Sequence, residues 1–198
     1  MSSRTGTRRG ALSRGAFGGV IGPIAFVTAW SIGGVVASHY SPVDDAISHL
    51  AEVGAPTRVL MTSGFVAFGI GVSVYALALR AALPGWSWVA AAASGLATIG
   101  VAVAPLGRSS SGDVVHGVFA GAGYVALAAT PLLAVAPLRR AGRVAMARAS
   151  VAAGALSAIS LSASTTPWLS GLFQRAGLSV VDVWIVATAV EIIREGRG

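Results

Sequence analysis

Six apolar stretches, each close to 20 residues and separated by short connections rich in Gly, Pro, Ser or Arg, leave this chain few folds to choose from. A helix of about 20 apolar residues crosses the hydrocarbon of a bilayer. The stretches fall at about 15–37, 59–79, 86–104, 114–136, 147–166 and 178–193. They predict an all-α, integral membrane bundle of six transmembrane helices forming a single domain over 15–198. Composition agrees: 55% hydrophobic residues, 11% charged residues and a mean hydropathy of +0.76 do not describe a soluble surface. A cleaved signal peptide competes for the first stretch, because Arg4, Arg8, Arg9 and Arg14 precede it. The stretch is longer than the usual apolar region of such a peptide and has no A-x-A site. Residues 1–14 read as a disordered, basic cytoplasmic tail.

All 14 basic residues are Arg. With the Ala- and Gly-rich composition this points to a GC-rich bacterial genome. A net charge of +7 invites a nucleic-acid partner, and the placement of the arginines argues against one. With six spans, Arg4, Arg8, Arg9, Arg14, Arg80, Arg139, Arg140, Arg143, Arg148, Arg194 and Arg197 share a side, and Arg58, Arg108 and Arg175 lie opposite. The positive-inside rule then puts both termini in the cytoplasm and predicts a multi-pass protein of the bacterial cytoplasmic membrane, its first partner being the lipid bilayer. Gly15, Gly18, Gly19 and Gly22 predict close packing of the first span, and the Ala, Ser and Gly of the fifth predict burial between other helices.

Tyr40-Ser-Pro-Val-Asp-Asp-Ala-Ile-Ser-His-Leu-Ala-Glu-Val-Gly54 is the most informative connection. Ser41 suits an N-cap, Pro42 the first helical position and Asp44 the N3 position, while Gly54 suits the C′ position. At helical spacing Val43, Ala46, Ile47, Leu50, Ala51 and Val53 fall on one arc, and Asp44, Asp45, Ser48, His49 and Glu52 on the other. The pattern predicts a short amphipathic helix over about 42–53, lying along the membrane surface.

With that topology, most polar residues gather at the outer face. His116 and Asp113 open the fourth span three residues apart, and with Asp182 they are the candidate acid–base groups. Asp45, Ser48, His49, Gln174 and Arg175 are the candidate ligand-binding groups. A carboxyl inside a span is costly, so Asp182 is expected to reach Arg175 or His116, with Asp45, Ser48 or His49 joining the same pocket. The plainer alternative rolls the 42–53 helix outward, so that its carboxylates are solvated and Ile47 and Leu50 plug the bundle from above. His116 then only ties neighbouring helices together. The chain has no cysteine, so any metal would be held by His and carboxylate. Zinc at His39, His49 and His116 is conceivable, but no H-E-x-x-H or comparable spacing supports it.

The Tyr40–Leu50 segment after a first span, a histidine opening the fourth, and Gly171-Leu-Phe-Gln-Arg175 before the last resemble the bacterial and archaeal multi-span membrane family known as domain of unknown function 998. Ser41, Pro42, Ile47, Ser48, Leu50, His116, Gln174 and Arg175 match its pattern, whereas His39 and His49 do not. The resemblance implies a fold and no activity. Three function classes stay open: a membrane-embedded hydrolase acting on a lipid-type substrate at the outer leaflet, a small carrier or ligand-binding protein, and a non-catalytic assembly partner of another membrane protein or of a second copy. A near absence of charge from the middle of the spans counts against the carrier.

Overall fold

The structure, a computed structural model, describes residues 14–196. Apart from Arg14, the tail expected at 1–14 lies outside the described residues. Among the described residues six long α-helices follow one another: α1 (Gly18–Val36), α2 (Arg58–Ala82), α3 (Ser87–Val103), α4 (Ser110–Arg140), α5 (Val144–Ala163) and α6 (Ser170–Glu195). There is no strand among the described residues. Five of the helices are long and apolar enough to cross a membrane; α3, with 17 residues, is the short one.

Each helix packs against the next in sequence, and α6 closes the ring on α1 while also touching α2 and α4. That position makes α6 the most enclosed helix. The composition of α5 predicts burial instead, but α5 packs mainly on its neighbours α4 and α6 and leaves Val151, Leu156 and Ile159 exposed. Small side chains serve close approach in general, and only some of those on α5 are used for it. On α1 the expectation holds: a Cβ at Gly18 would run into the backbone of Gly71 on α2, so these two helices meet backbone to backbone. Buried hydrogen bonds tie the ring together. Tyr75 and Thr188 share one at 2.6 Å, Trp184 Nε1 donates to Ser150 Oγ at 2.8 Å, and Ser87 Oγ donates to the Thr130 carbonyl at 2.7 Å. Phe26 makes tilted ring contacts with Phe65 and Phe68 at centroid distances of 5.7 and 5.2 Å.

The last helix begins at Ser170, eight residues before the expected start at 178. Leu169 takes a left-handed conformation (φ 56°) that turns the chain into it, so Gly171-Leu-Phe-Gln-Arg175 forms its first turns and not a loop. The shift places Asp182 about 18 Å along the axis, halfway through α6.

The amphipathic surface helix over 42–53 does not form. Ser41 Oγ accepts from Asp44 N at 3.3 Å, and Asp45 Oδ2 accepts from Ser41 N at 2.7 Å, so the capping groups close a single turn upon themselves. Ala46 is then extended (ψ 145°), and a 3-10 helix follows over Ile47–Ala51. Ile47, Ser48, Leu50 and Ala51 are buried. The segment enters the end of the bundle as a plug. Gly54 (φ 92°) takes the left-handed turn that its expected C′ role requires, though it ends no α-helix.

Candidate functional site

A plug of irregular backbone inside an apolar bundle must find hydrogen-bond partners for its N–H and C=O groups. The first turns of α6 supply most of them. Gln174 Oε1 accepts from Ile47 N at 2.7 Å, and its Nε2 donates to the Tyr124 hydroxyl. Arg175 Nη1 donates to the carbonyls of Pro42 (2.8 Å), Asp45 (3.1 Å) and Gly171 (3.0 Å), and Nη2 donates to the Tyr40 hydroxyl. The guanidinium is buried and lies over the rings of Trp30 and Tyr40, at 5.3 and 5.5 Å from their centroids. Tyr40 in turn donates to the Asp45 and Ala46 carbonyls. Burial pushes its phenol above the usual range, against the pull of the Arg175 charge. Thr57 Oγ1 reaches the Leu50 carbonyl at 2.8 Å, and Leu172 N the Val43 carbonyl at 2.8 Å.

On the far side of the plug, Ser48 Oγ lies 2.9 Å from His116 Nε2, and His116 Nδ1 lies 2.7 Å from the Ala104 carbonyl oxygen. A carbonyl only accepts, so Nδ1 carries a ring proton; in the tautomer protonated only there, Nε2 accepts from the Ser48 hydroxyl. Both side chains are buried. Ser48 also lines a cavity of ≈ 40 Å³, whose other lining side chains include Phe26, Phe65, Phe68, Phe119 and Leu127 and the polar Ser94, Thr98, Tyr124 and Gln174. No charged side chain lines it. Phe119 sits on Gly100 of α3 and is 38% exposed on the outside of the ring, so it separates the cavity from the bundle's flank.

The expected convergence is therefore partial. Ser48 and His116 meet, and Gln174 and Arg175 hold the same plug. Asp182 meets neither His116 nor Arg175: both its carboxyl oxygens are buried without a hydrogen-bond partner, near Pro23, Val27 and Ser179 at the α1–α6 seam. The earlier start of α6 is the reason, since it carries Asp182 two helical turns below Arg175. Asp113 Oδ1 accepts from Gly107 N at 2.9 Å, closing the α3–α4 turn. Asp45 spends its carboxylate on the turn at Ser41, and only its carbonyl meets Arg175. His49 is half-exposed and pairs with Glu52 at 3.0 Å. His39, His49 and His116 do not gather, and among the described residues no three His, Asp or Glu side chains group as a metal would need.

Tyr40, Trp30, Tyr124 and the Ala104 carbonyl belong to the site and were not among the expected residues. The only sequence signal for them is the adjacency of Tyr40 to Ser41, since aromatic residues within apolar runs look like ordinary packing.

The helix lengths, the apolar exterior and the plugged end define a multi-pass, membrane-type helical protein with one elaborated end. The model of a family of proteins of unknown function (DUF998) matches residues 20–191, and the chain belongs to that family. No curated protein and no solved structure matches it.

Proposed function

We propose that the protein is a single-domain, six-span protein of a bacterial cytoplasmic membrane, with α3 as a short sixth span and both termini cytoplasmic. Its plugged end then lies in the outer leaflet, where it takes a lipid-type ligand. Sidedness is supported by the arginines: Arg80, Arg139, Arg140, Arg143, Arg148 and Arg194 lie at the end away from the plug, which carries Arg58, Arg108 and Arg175. Ligand binding is supported by the cavity under the plug, with apolar walls for a hydrocarbon and neutral polar groups among them for a carbonyl or hydroxyl head. At ≈ 40 Å³ it admits no more than a few water-sized groups as it stands. An acyl chain enters when Phe119 swings off Gly100 and opens the flank between α3 and α4.

The test is mass analysis of lipids retained by protein purified in mild detergent. Gly123 lines the cavity with room for a side chain, the nearest atom to an added Cβ being Ala97 Cβ at 3.5 Å. Gly123→Leu is expected to reduce the retained lipid at least severalfold. Equal retention by the variant overturns this reading.

Assembly with a second copy or another membrane protein is favoured by a separate observation, the unpartnered Asp182 halfway along α6 beside the loosest seam of the ring. A neighbouring helix that parts the α1–α6 seam would bring a donor to this buried carboxyl. Asp182→Leu is expected to dissociate such an assembly in a native-mass or cross-linking experiment; an unchanged oligomeric state removes this alternative.

A further inference from the structure

The geometry points to Ser48 as a nucleophile activated by His116, acting on a carboxylic ester of an apolar acyl chain. This rests on the ligand-binding reading and names the chemistry at the cavity's polar lining. Two elements of an acyl-transfer site are in place, and the same cavity is lined by donors that could serve as the third. The hydroxyl stands 2.9 Å from a ring nitrogen that accepts its proton, within the reach a general base requires. The opposite ring nitrogen is held at 2.7 Å by the Ala104 carbonyl, which fixes the tautomer and the ring plane as a third, orienting group does in a nucleophile–base pair. Ala104 itself is anchored at the end of α3 by its N–H to the Gly100 carbonyl at 3.0 Å. Donors for a developing oxyanion line the same cavity: Tyr124 accepts from Gln174, which leaves its phenolic proton to donate, and the Gln174 amide has a second N–H.

The lining selects the substrate class. Phosphate esters need cations where charge develops, and no Arg lines the cavity, while the nearby guanidinium of Arg175 is committed to the plug's carbonyls and Tyr40. A neutral ester carrying an apolar chain fits the phenylalanine walls and leaves no buried charge unpaired.

The chemistry balances with water as the only co-reactant. Ser48 Oγ attacks the ester carbonyl carbon as its proton passes to His116 Nε2. The ester C–O bond then breaks, and the leaving alkoxide takes that proton to depart as an alcohol, giving an acyl-serine. Water attacks the acyl-serine with its proton going to Nε2, and the carboxylic acid leaves as that proton returns to Ser48 Oγ.

A hydrogen-bond lock that merely satisfies two buried side chains has the same static appearance, so the test must separate the two. Full-length protein in lipid nanodiscs is exposed to a long-chain alkyl fluorophosphonate, which loses fluoride as a serine oxygen bonds to phosphorus, and adducts are mapped by peptide mass. The expected result is a single adduct on Ser48, absent from Ser48→Ala. In His116→Gln, whose amide keeps a donor and an acceptor but no useful base, labelling should fall by about 100-fold or more at an unchanged thermal midpoint. A lock without chemistry predicts no such separation. Phe119→Ala, which opens the flank, guards against a probe that cannot enter. No adduct on Ser48 in either the wild type or Phe119→Ala, or labelling of His116→Gln at the wild-type rate, overturns the proposal. Retained lipid without an adduct sinks the nucleophile and leaves the binding reading standing; an adduct without retained lipid does the reverse.

Discussion

Gln174→Leu removes one side chain that serves both the plug and the cavity wall, at nearly constant volume. The Ile47 N–H loses its 2.7 Å partner and is left buried, which costs about 1–3 kcal/mol. Tyr124 loses the amide that donates to it, a further contribution of roughly 1 kcal/mol. The plug is a short connecting segment held by α6, Tyr40 and Thr57, so the combined loss of about 2–4 kcal/mol acts on its opening and not on the whole bundle. At 1.36 kcal/mol per decade, amide hydrogen exchange over 47–51 should speed up by roughly 30- to 900-fold in the variant, with the mid-helix amides of α2 and α6 unchanged. Exchange at 47–51 that changes less than threefold would refute the clamp. A uniform loss of protection in every helix would refute its local character.

Gly171→Ala puts a Cβ against the Asp45 and Pro42 carbonyl oxygens, so the plug must shift; limited proteolysis should cut 41–53 in this variant and spare the wild type. Asp182→Leu replaces an unpartnered buried carboxyl by an apolar group and should stabilise the isolated chain by about 1–3 kcal/mol, read as a higher thermal midpoint in detergent. The Arg143–Glu191 pair is more than a third exposed, so Glu191→Gln should cost no more than about 1 kcal/mol. Tyr40 has its phenol raised by burial, so its contribution is fully present below the unfolded value of about 10 and is lost as pH climbs beyond it. Exchange at 47–51 should accelerate above about pH 10 beyond the intrinsic rate, and Tyr40→Phe should remove that extra acceleration.

The long apolar helices were legible because about 20 apolar residues in a row have few uses. The start of α6 was not, because Gln174 and Arg175 carry the polarity of a loop; they are polar because they face the plug, a partner 127 to 133 positions away in sequence. The segment at 42–53 misleads in a different way. Ile47, Leu50 and Ala51 repeat at spacings that suit a surface helix and a 3-10 plug equally, and the choice is made by Arg175, Tyr40 and Thr57, which satisfy the irregular backbone from outside. Ser48 and His116 were each visible as candidates, but their pairing spans 68 residues and depends on where α3 ends, at Ala104. Asp182 was expected near the outer face only because α6 was begun too late.

The central claim is that residues 47–51 enter the bundle at its outer end, with one face inside and one in water. The chain contains no cysteine, so single cysteines can be read without background. A membrane-impermeant maleimide applied to intact cells should modify His49→Cys and Glu52→Cys, whose parent residues are 50% and 41% exposed, and should leave Ile47→Cys and Leu50→Cys, whose parents are 1% exposed, unmodified until the protein is denatured. Equal modification of all four would return the segment to the membrane surface and remove the plug, the clamp and the cavity's roof together; modification only after the cells are opened would invert the topology.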